Sequence, residues 1–126
     1  MKFAKLVFLV AGIYGLIVVL PQYFLESKIG VDSPPPITHP EFYYGFIGVT
    51  LAWQISFLIL STDPIRYRPL MIAAVVEKFT FAPAIAMLFV QQRVSSLMLA
   101  PASVDLLLGI LFVAAFLKTA QRHRMA

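Results

Sequence analysis

The chain has 126 residues, of which 60% are hydrophobic and only 13% charged, and its formal net charge is +4. So few charged side chains could not cover a soluble domain of this size, in which about a quarter of the residues are charged, so we predict an integral membrane protein in contact with the lipid bilayer. The basic residues lie in short clusters at the ends of apolar runs rather than in one patch, which argues against nucleic acid as a partner.

The first apolar segment runs from about residue 3 to residue 20 and ends before Pro21. Lys2 and Lys5 precede an apolar stretch, an order that secretory signal peptides share. No small-residue cleavage pattern follows, because residues 21–25 are bulky and interfacial in character. We therefore favour a retained transmembrane helix over a cleaved signal peptide.

Three further apolar segments follow, at about residues 42–60, 70–90 and 102–117. At 1.5 Å per residue the second segment would span about 28 Å, close to the ~30 Å hydrocarbon core of a bilayer. The connection before it contains three consecutive prolines, residues 34–36, for which we expect an extended polyproline conformation. The predicted fold is all-α, a four-helix antiparallel membrane bundle that forms a single domain over residues 1–126.

The positions of lysine and arginine predict the orientation of this bundle, because cytoplasmic loops carry an excess of both. One predicted side holds only Lys28 and Arg93. The other side holds seven basic residues, namely Lys2, Lys5, Arg66, Arg68, Lys118, Arg122 and Arg124. We therefore expect a multi-pass protein of a cytoplasmic (inner) membrane, with both termini in the cytoplasm.

Polar side chains within the apolar segments mark a candidate intramembrane site, formed by Glu77, Lys78, Gln54 and Tyr14. From the helical rise, Glu77 lies about 10 Å into its segment, and Gln54 and Tyr14 reach a similar depth. Ionisable groups in a membrane are costly and often functional, so Glu77 is a candidate ligand of a proton, a cation or a polar headgroup. The alternative is structural: Lys78 extends to the headgroups, and Glu77 pairs with another group. Asp105 is assigned to the first turn of the fourth helix, where the helix dipole favours a carboxylate.

A stripe of small residues on the second helix is predicted to pack against a neighbouring helix. Small residues allow the close backbone approach on which helix association in lipid depends. The stripe consists of Gly45, Gly48, Ala52 and Ser56, spaced by three, four and four positions.

The run DPIRYRP at residues 63–69, followed by Glu77 and Lys78, has the form of a family signature. In length, helix count and predicted cytoplasmic ends the chain resembles the small bacterial four-helix membrane proteins grouped as DoxX-like. That resemblance implies a membrane bundle and assigns no activity and no functional residue.

Few residues in the sequence indicate catalysis, metal binding or cofactor binding. The chain has no cysteine, its histidines at positions 39 and 123 are predicted on opposite sides of the membrane, and we identify no catalytic residues, metal ligands or cofactor motif. The first hypothesis is a non-catalytic membrane subunit or scaffold, acting as a homo-oligomer or within a larger membrane complex. The alternative is a binding or transport module for a small molecule, ion or proton, centred on Glu77. An enzyme has the least support, and would need a cavity that reaches Glu77.

Overall fold

A computed structural model describes the backbone of residues 1–125 and the side chains of residues 1–120. Within residues 1–125 the chain is all-helical and contains no β-strand, which confirms the predicted all-α class. Short 3-10 helices continue the first helix over Leu20–Phe24 and precede the last one at Ser96–Met98. The α-helices are α1 (Lys2–Val19), α2 (Glu26–Asp32), α3 (Pro40–Thr62), α4 (Leu70–Val90) and α5 (Leu99–Met125).

Four of the helical segments are long and apolar enough to cross a membrane, as predicted. They are Lys2–Phe24, Pro40–Thr62, Leu70–Val90 and Ser96–Ala120, each between 21 and 25 residues long. Many large apolar side chains on their outer faces are exposed, among them Ile17, Ile72 and Leu117. In water such a surface would be unfavourable, whereas in a bilayer it is the surface that contacts lipid.

The helix bounds differ from the predicted segments at two places. Helix α5 begins at Leu99 instead of residue 102 and continues well past residue 117, because a helix does not end where its apolar residues end. Helix α2 lies within the connection 22–40, for which we predicted no helix. Its Lys28 and Asp32 form an exposed ion pair of 2.7 Å one turn apart, a contact that favours a helical turn.

The apolar core occupies only one half of the helical assembly. Three phenylalanines form its centre: Phe8 of α1 stacks on Phe112 of α5 with ring centroids 4.4 Å apart, and Phe57 of α3 meets Phe112 at 5.1 Å. All three are fully buried, as are Met71 and Ala74 near the start of α4. These residues come from the half of each helix nearer the 63–69 connection, so that half is closely packed.

The glycines that allow close helix packing are not those of the predicted stripe. Gly12 and Gly15 of α1 lie directly against the Leu58 and Gln54 side chains of α3, and Gly109 of α5 lies against Phe79 and Lys78 of α4. A stripe of small residues on a single apolar helix shows where close approach is possible but not which neighbour is present.

The predicted packing stripe itself is largely open. Gly45 and Ala52 are exposed, and Gly48 and Ser56 are half-buried. Within the part of the chain that the structure describes, no atom lies within 4 Å of the place a side chain at Gly45 would take. Among the described residues the stripe is therefore exposed or half-buried, and its role in helix packing stays a prediction.

Candidate functional site

A cavity of about 750 Å³ lies among the helix halves that do not form the apolar core. Its lining comes from all four long helices, over residues 14–19 of α1, 43–54 of α3, 77–84 of α4 and 101–105 of α5. By the helical rise these stretches extend about 10–16 Å along α3 and α4. Although α3 and α4 are consecutive helices, they share few contacts, so the cavity separates them.

The two ends of the cavity differ in character. The end next to the apolar core is polar and holds Tyr14, Gln54, Glu77, Lys78 and Asp105. The rest of the wall, farther from the core, is mainly apolar and includes Val18, Phe46, Val49, Trp53 and Phe81. A few convergent polar groups within an apolar wall are typical of small-molecule sites.

Lys78 is the centre of the polar end. Its side chain is only 4% exposed, and its ammonium group donates a hydrogen bond to Oδ1 of Asp105 at 3.1 Å. The same nitrogen lies 3.4 Å from Oε2 of Glu77, although the contact lacks hydrogen-bond geometry. The nitrogen is also 5.4 Å from the ring centroid of Phe57, which places the charge at the boundary between core and cavity.

Two interpretations of the sequence are corrected by this arrangement. Lys78 does not extend along its helix to the headgroups, because its charge is compensated inside the protein by carboxylates. Asp105 does not cap its helix: α5 begins at Leu99, so Asp105 lies in the second turn and bonds Lys78 of α4 instead. The signal that could have identified Asp105 was its position in an apolar segment, where an uncompensated carboxylate would be costly.

Gln54 lies on the opposite wall of the polar end and is 2% exposed. Its amide nitrogen donates to the Thr50 carbonyl oxygen one turn earlier at 2.9 Å, whereas its carbonyl oxygen Oε1 has no hydrogen-bond partner. Gln54 faces α1 at Gly15. A buried polar atom without a hydrogen-bond partner is unfavourable, and a ligand or water that donates a hydrogen bond to it would relieve that cost.

The structure thus brings all four predicted site residues to one cavity. Glu77, Lys78, Gln54 and Tyr14 all line its polar end, together with Asp105, which the sequence analysis placed elsewhere. Their common depth followed from the helical rise, whereas their proximity depends on how each helix is rotated about its axis. Within residues 1–120 no three His, Asp or Glu side chains converge as a metal site would require. His123 lies outside the side chains that the structure describes.

The far end of the cavity is bordered by the segments that connect the long helices. Ile29 and Ser33, in and just after α2, and Met98 of the second 3-10 helix all line it. The Tyr43 hydroxyl donates to the Gln22 carbonyl oxygen and so ties the start of α3 to the end of the first span. Helix α2 is therefore part of the cavity wall rather than a free external loop.

Comparison of the chain with known protein families, with curated proteins and with solved structures found no match in any of the three.

Proposed function

We propose that this protein binds a small amphipathic molecule in a cavity within the plane of the membrane. The observation that carries the proposal is the cavity itself: its volume of about 750 Å³ falls within the range of small-molecule sites, about 300–1,000 Å³. Its apolar wall suits the body of such a molecule, and the group of Glu77, Lys78 and Asp105 suits a polar head. Of the two functions considered from the sequence, the binding module therefore has the stronger support.

An enzyme would also need a cavity that reaches Glu77. The ionisable groups at the polar end, however, contact one another: Lys78 bonds Asp105 and lies next to Glu77. Nucleophilic catalysis requires a nucleophile with an adjacent base directed at the substrate, and this arrangement does not resemble one. We therefore assign binding, and no reaction.

We further infer that the four spans alternate in direction in a cytoplasmic membrane, with both termini inside. Two contacts support this: Arg68 donates to the Phe116 carbonyl oxygen of α5, and the Lys118 ammonium lies 4.3 Å from the Phe3 ring centroid. The 63–69 connection, the start of α1 and the end of α5 therefore meet at one end, the end that carries the basic residues. The resemblance to DoxX-like proteins is compatible with this topology and adds no activity to it.

Trp53 provides a direct test, because it lines the cavity and is the only tryptophan of the chain. The protein is placed in phosphatidylcholine nanodiscs and titrated with an alkyl alcohol whose chain carries a nitroxide, which quenches tryptophan fluorescence on contact. We expect a saturable quenching component above the linear component due to partition into lipid. Ala84→Phe fills the cavity wall and should remove that component, whereas Ala86→Phe, at an exposed position of the same helix outside the cavity, should retain it. Linear quenching in the wild type, or equal quenching in the two variants, would reject the proposal.

The open stripe on α3 supports a second candidate, a homo-oligomer or a subunit of a larger membrane complex. Gly45 and Ala52 are exposed on a helix that is otherwise suited to close packing, so a partner helix has room there. Cross-linking in native membranes tests this candidate: Gly48→Leu should abolish a cross-linked species that Ala86→Leu retains. A chain that stays monomeric in the membrane would reject it.

A further inference from the structure

Both unpartnered side-chain atoms at the polar end of the cavity are hydrogen-bond acceptors. They are Oε1 of Gln54 and Oε2 of Glu77, each fully shielded from solvent and without a hydrogen-bond partner among the described residues. The Gln54 amide nitrogen bonds the Thr50 carbonyl and the Lys78 ammonium bonds Asp105, and neither contact satisfies these two oxygens. The polar end therefore holds two buried acceptors that a ligand with hydrogen-bond donors would satisfy.

The charges at this end are also unequal. Glu77 and Asp105 contribute two carboxylates, while Lys78 is the one basic residue that lines the cavity within residues 1–120. When all three are ionised, their sum is one negative charge within a surface of apolar side chains. Such a charge is costly in a medium of low dielectric constant unless a cation accompanies it.

We propose that the ligand is a single-chain amphiphile with a primary ammonium head, which enters the cavity with its alkyl chain along the apolar wall. This inference rests on the proposed binding function and adds the chemical class of the ligand. The ammonium supplies N–H donors to the polar end, where Oε2 of Glu77 has no hydrogen-bond partner, and compensates the remaining negative charge. An anionic head is disfavoured by the same charge balance, because it would face two carboxylates and a single lysine.

A primary ammonium has both a positive charge and N–H donors, and the contribution of each to binding can be tested separately on the wild-type protein. Dodecylamine, dodecyltrimethylammonium and dodecanoate share a chain length, but only the first has both positive charge and N–H donors. Each competes against the quenching alcohol in the Trp53 assay. Because a hydrogen bond to a charged group changes affinity by about tenfold or more, we expect dodecylamine to compete at least about tenfold better than dodecyltrimethylammonium. Dodecanoate should be the weakest competitor.

The variant Glu77→Gln locates the effect at the site. It should lower the affinity of dodecylamine about tenfold, whereas Ala86→Phe, which lies outside the cavity, should leave that affinity within about twofold. Repeating the competition in nanodiscs that contain lysophosphatidylethanolamine, a single-chain lipid with a primary ammonium, distinguishes the source of the ammonium. Weaker competition there would assign the ammonium to a lipid headgroup, and unchanged competition to a free amine.

Failure of the ligand class and failure of the proposed function give different results. A saturable probe signal sensitive to Ala84→Phe, combined with equal competition by the three compounds or the best competition by dodecanoate, would overturn the ammonium assignment alone. Absence of any saturable signal would overturn the binding function itself.

Discussion

A methyl group added at Gly15 of α1 would lie 1.7 Å from the amide oxygen of Gln54 on α3. Real side-chain atoms do not approach so closely, so the Gln54 side chain occupies the space that the glycine leaves. The relationship fixes the distance between α1 and α3 at the level of the cavity, and it explains why Gln54 can be buried in an apolar helix face.

Gly15→Ala is therefore expected to destabilise the protein, by about 1–3 kcal/mol, because Gln54 or the whole of α1 must move. Gly45→Ala is the matched control: it makes the same change in an open position and should leave stability within about 0.5 kcal/mol, or raise it slightly through helix propensity. Thermal unfolding in detergent measures both. Equal melting temperatures for the two variants would show that Gln54 does not occupy the space beside Gly15.

Asp105→Asn should cost about 3 kcal/mol of stability, because it leaves the buried Lys78 ammonium without its hydrogen-bonded carboxylate. Asp32→Asn removes the partner of an exposed ion pair on α2 and should cost at most about 0.5 kcal/mol. Denaturant titration of the two variants beside the wild type gives the comparison. Similar small losses in both would mean that Lys78 finds another partner when Asp105 is absent.

Glu77→Gln should destabilise less than Asp105→Asn. Oε2 of Glu77 lies 3.4 Å from the Lys78 nitrogen without hydrogen-bond geometry, whereas Oδ1 of Asp105 accepts a hydrogen bond at 3.1 Å. The amide of the variant also removes a charge that lipid and protein both disfavour. The measurement is the melting temperature of wild type and both variants between pH 5 and pH 9. The opposite order would identify Glu77 as the structural partner of Lys78 and weaken its role as a ligand-binding group.

Arg68 joins the 63–69 connection to α5 and is expected to be needed for stability. Its guanidinium donates to the Phe116 carbonyl oxygen at 2.9 Å and to the Thr119 hydroxyl at 3.1 Å, and it lies 3.7 Å from the Phe116 ring centroid. Arg68→Ala should cost about 2 kcal/mol, since hydrogen bonds from charged donors are the stronger kind. Arg68→Lys should recover only part of that loss, because lysine lacks the planar guanidinium group with its several N–H donors.

Arg66→Ala serves as the control for Arg68. Arg66 is exposed and lies beside the ring of its neighbour Tyr67 at 5.6 Å, so its loss should change stability by less than about 0.5 kcal/mol. Unfolding of the three variants in the same detergent decides the question. If Arg66→Ala were the more damaging change, the contact of Arg68 with α5 would not be the reason for its effect.

The absence of cysteine from the chain makes its orientation directly measurable. Thr62→Cys at the end of α3 and Ser95→Cys in the connection before α5 are both at exposed positions. In intact cells a membrane-impermeant maleimide should label Ser95→Cys and leave Thr62→Cys unlabelled until the membrane is opened. The reverse pattern would place the basic end outside and contradict the positive-inside assignment.

Several parts of the fold could be predicted from the sequence because they depend on local properties. The four spans follow from the length of apolar runs, and the bounds of α4 agree with the predicted segment 70–90. Helix α2 was missed because seven residues carry little periodicity, and its buried Gly30 fits against Pro36 of the following segment, a contact not visible in a local pattern. The common depth of Tyr14, Gln54 and Glu77 followed from helix geometry alone.

The partners of these residues could not be predicted, because lipid-facing and protein-facing sides of a fully apolar helix look alike in sequence. The pairing of Lys78 with Asp105 requires α4 and α5 to be adjacent and rotated toward each other, which their apolar residues do not specify. The same ambiguity affected the α3 stripe, whose glycines suggested a packing face, whereas α3 meets α1 through Gln54. Small residues indicate where a helix can be approached, and the fold determines which approach is used.

The division of the molecule into a filled half and a hollow half limits how any solute could move through it. The stacked Phe8 and Phe112 rings are fully buried in the filled half, next to the polar end of the cavity. Passage of a solute along the axis of the helices would therefore require these rings to separate.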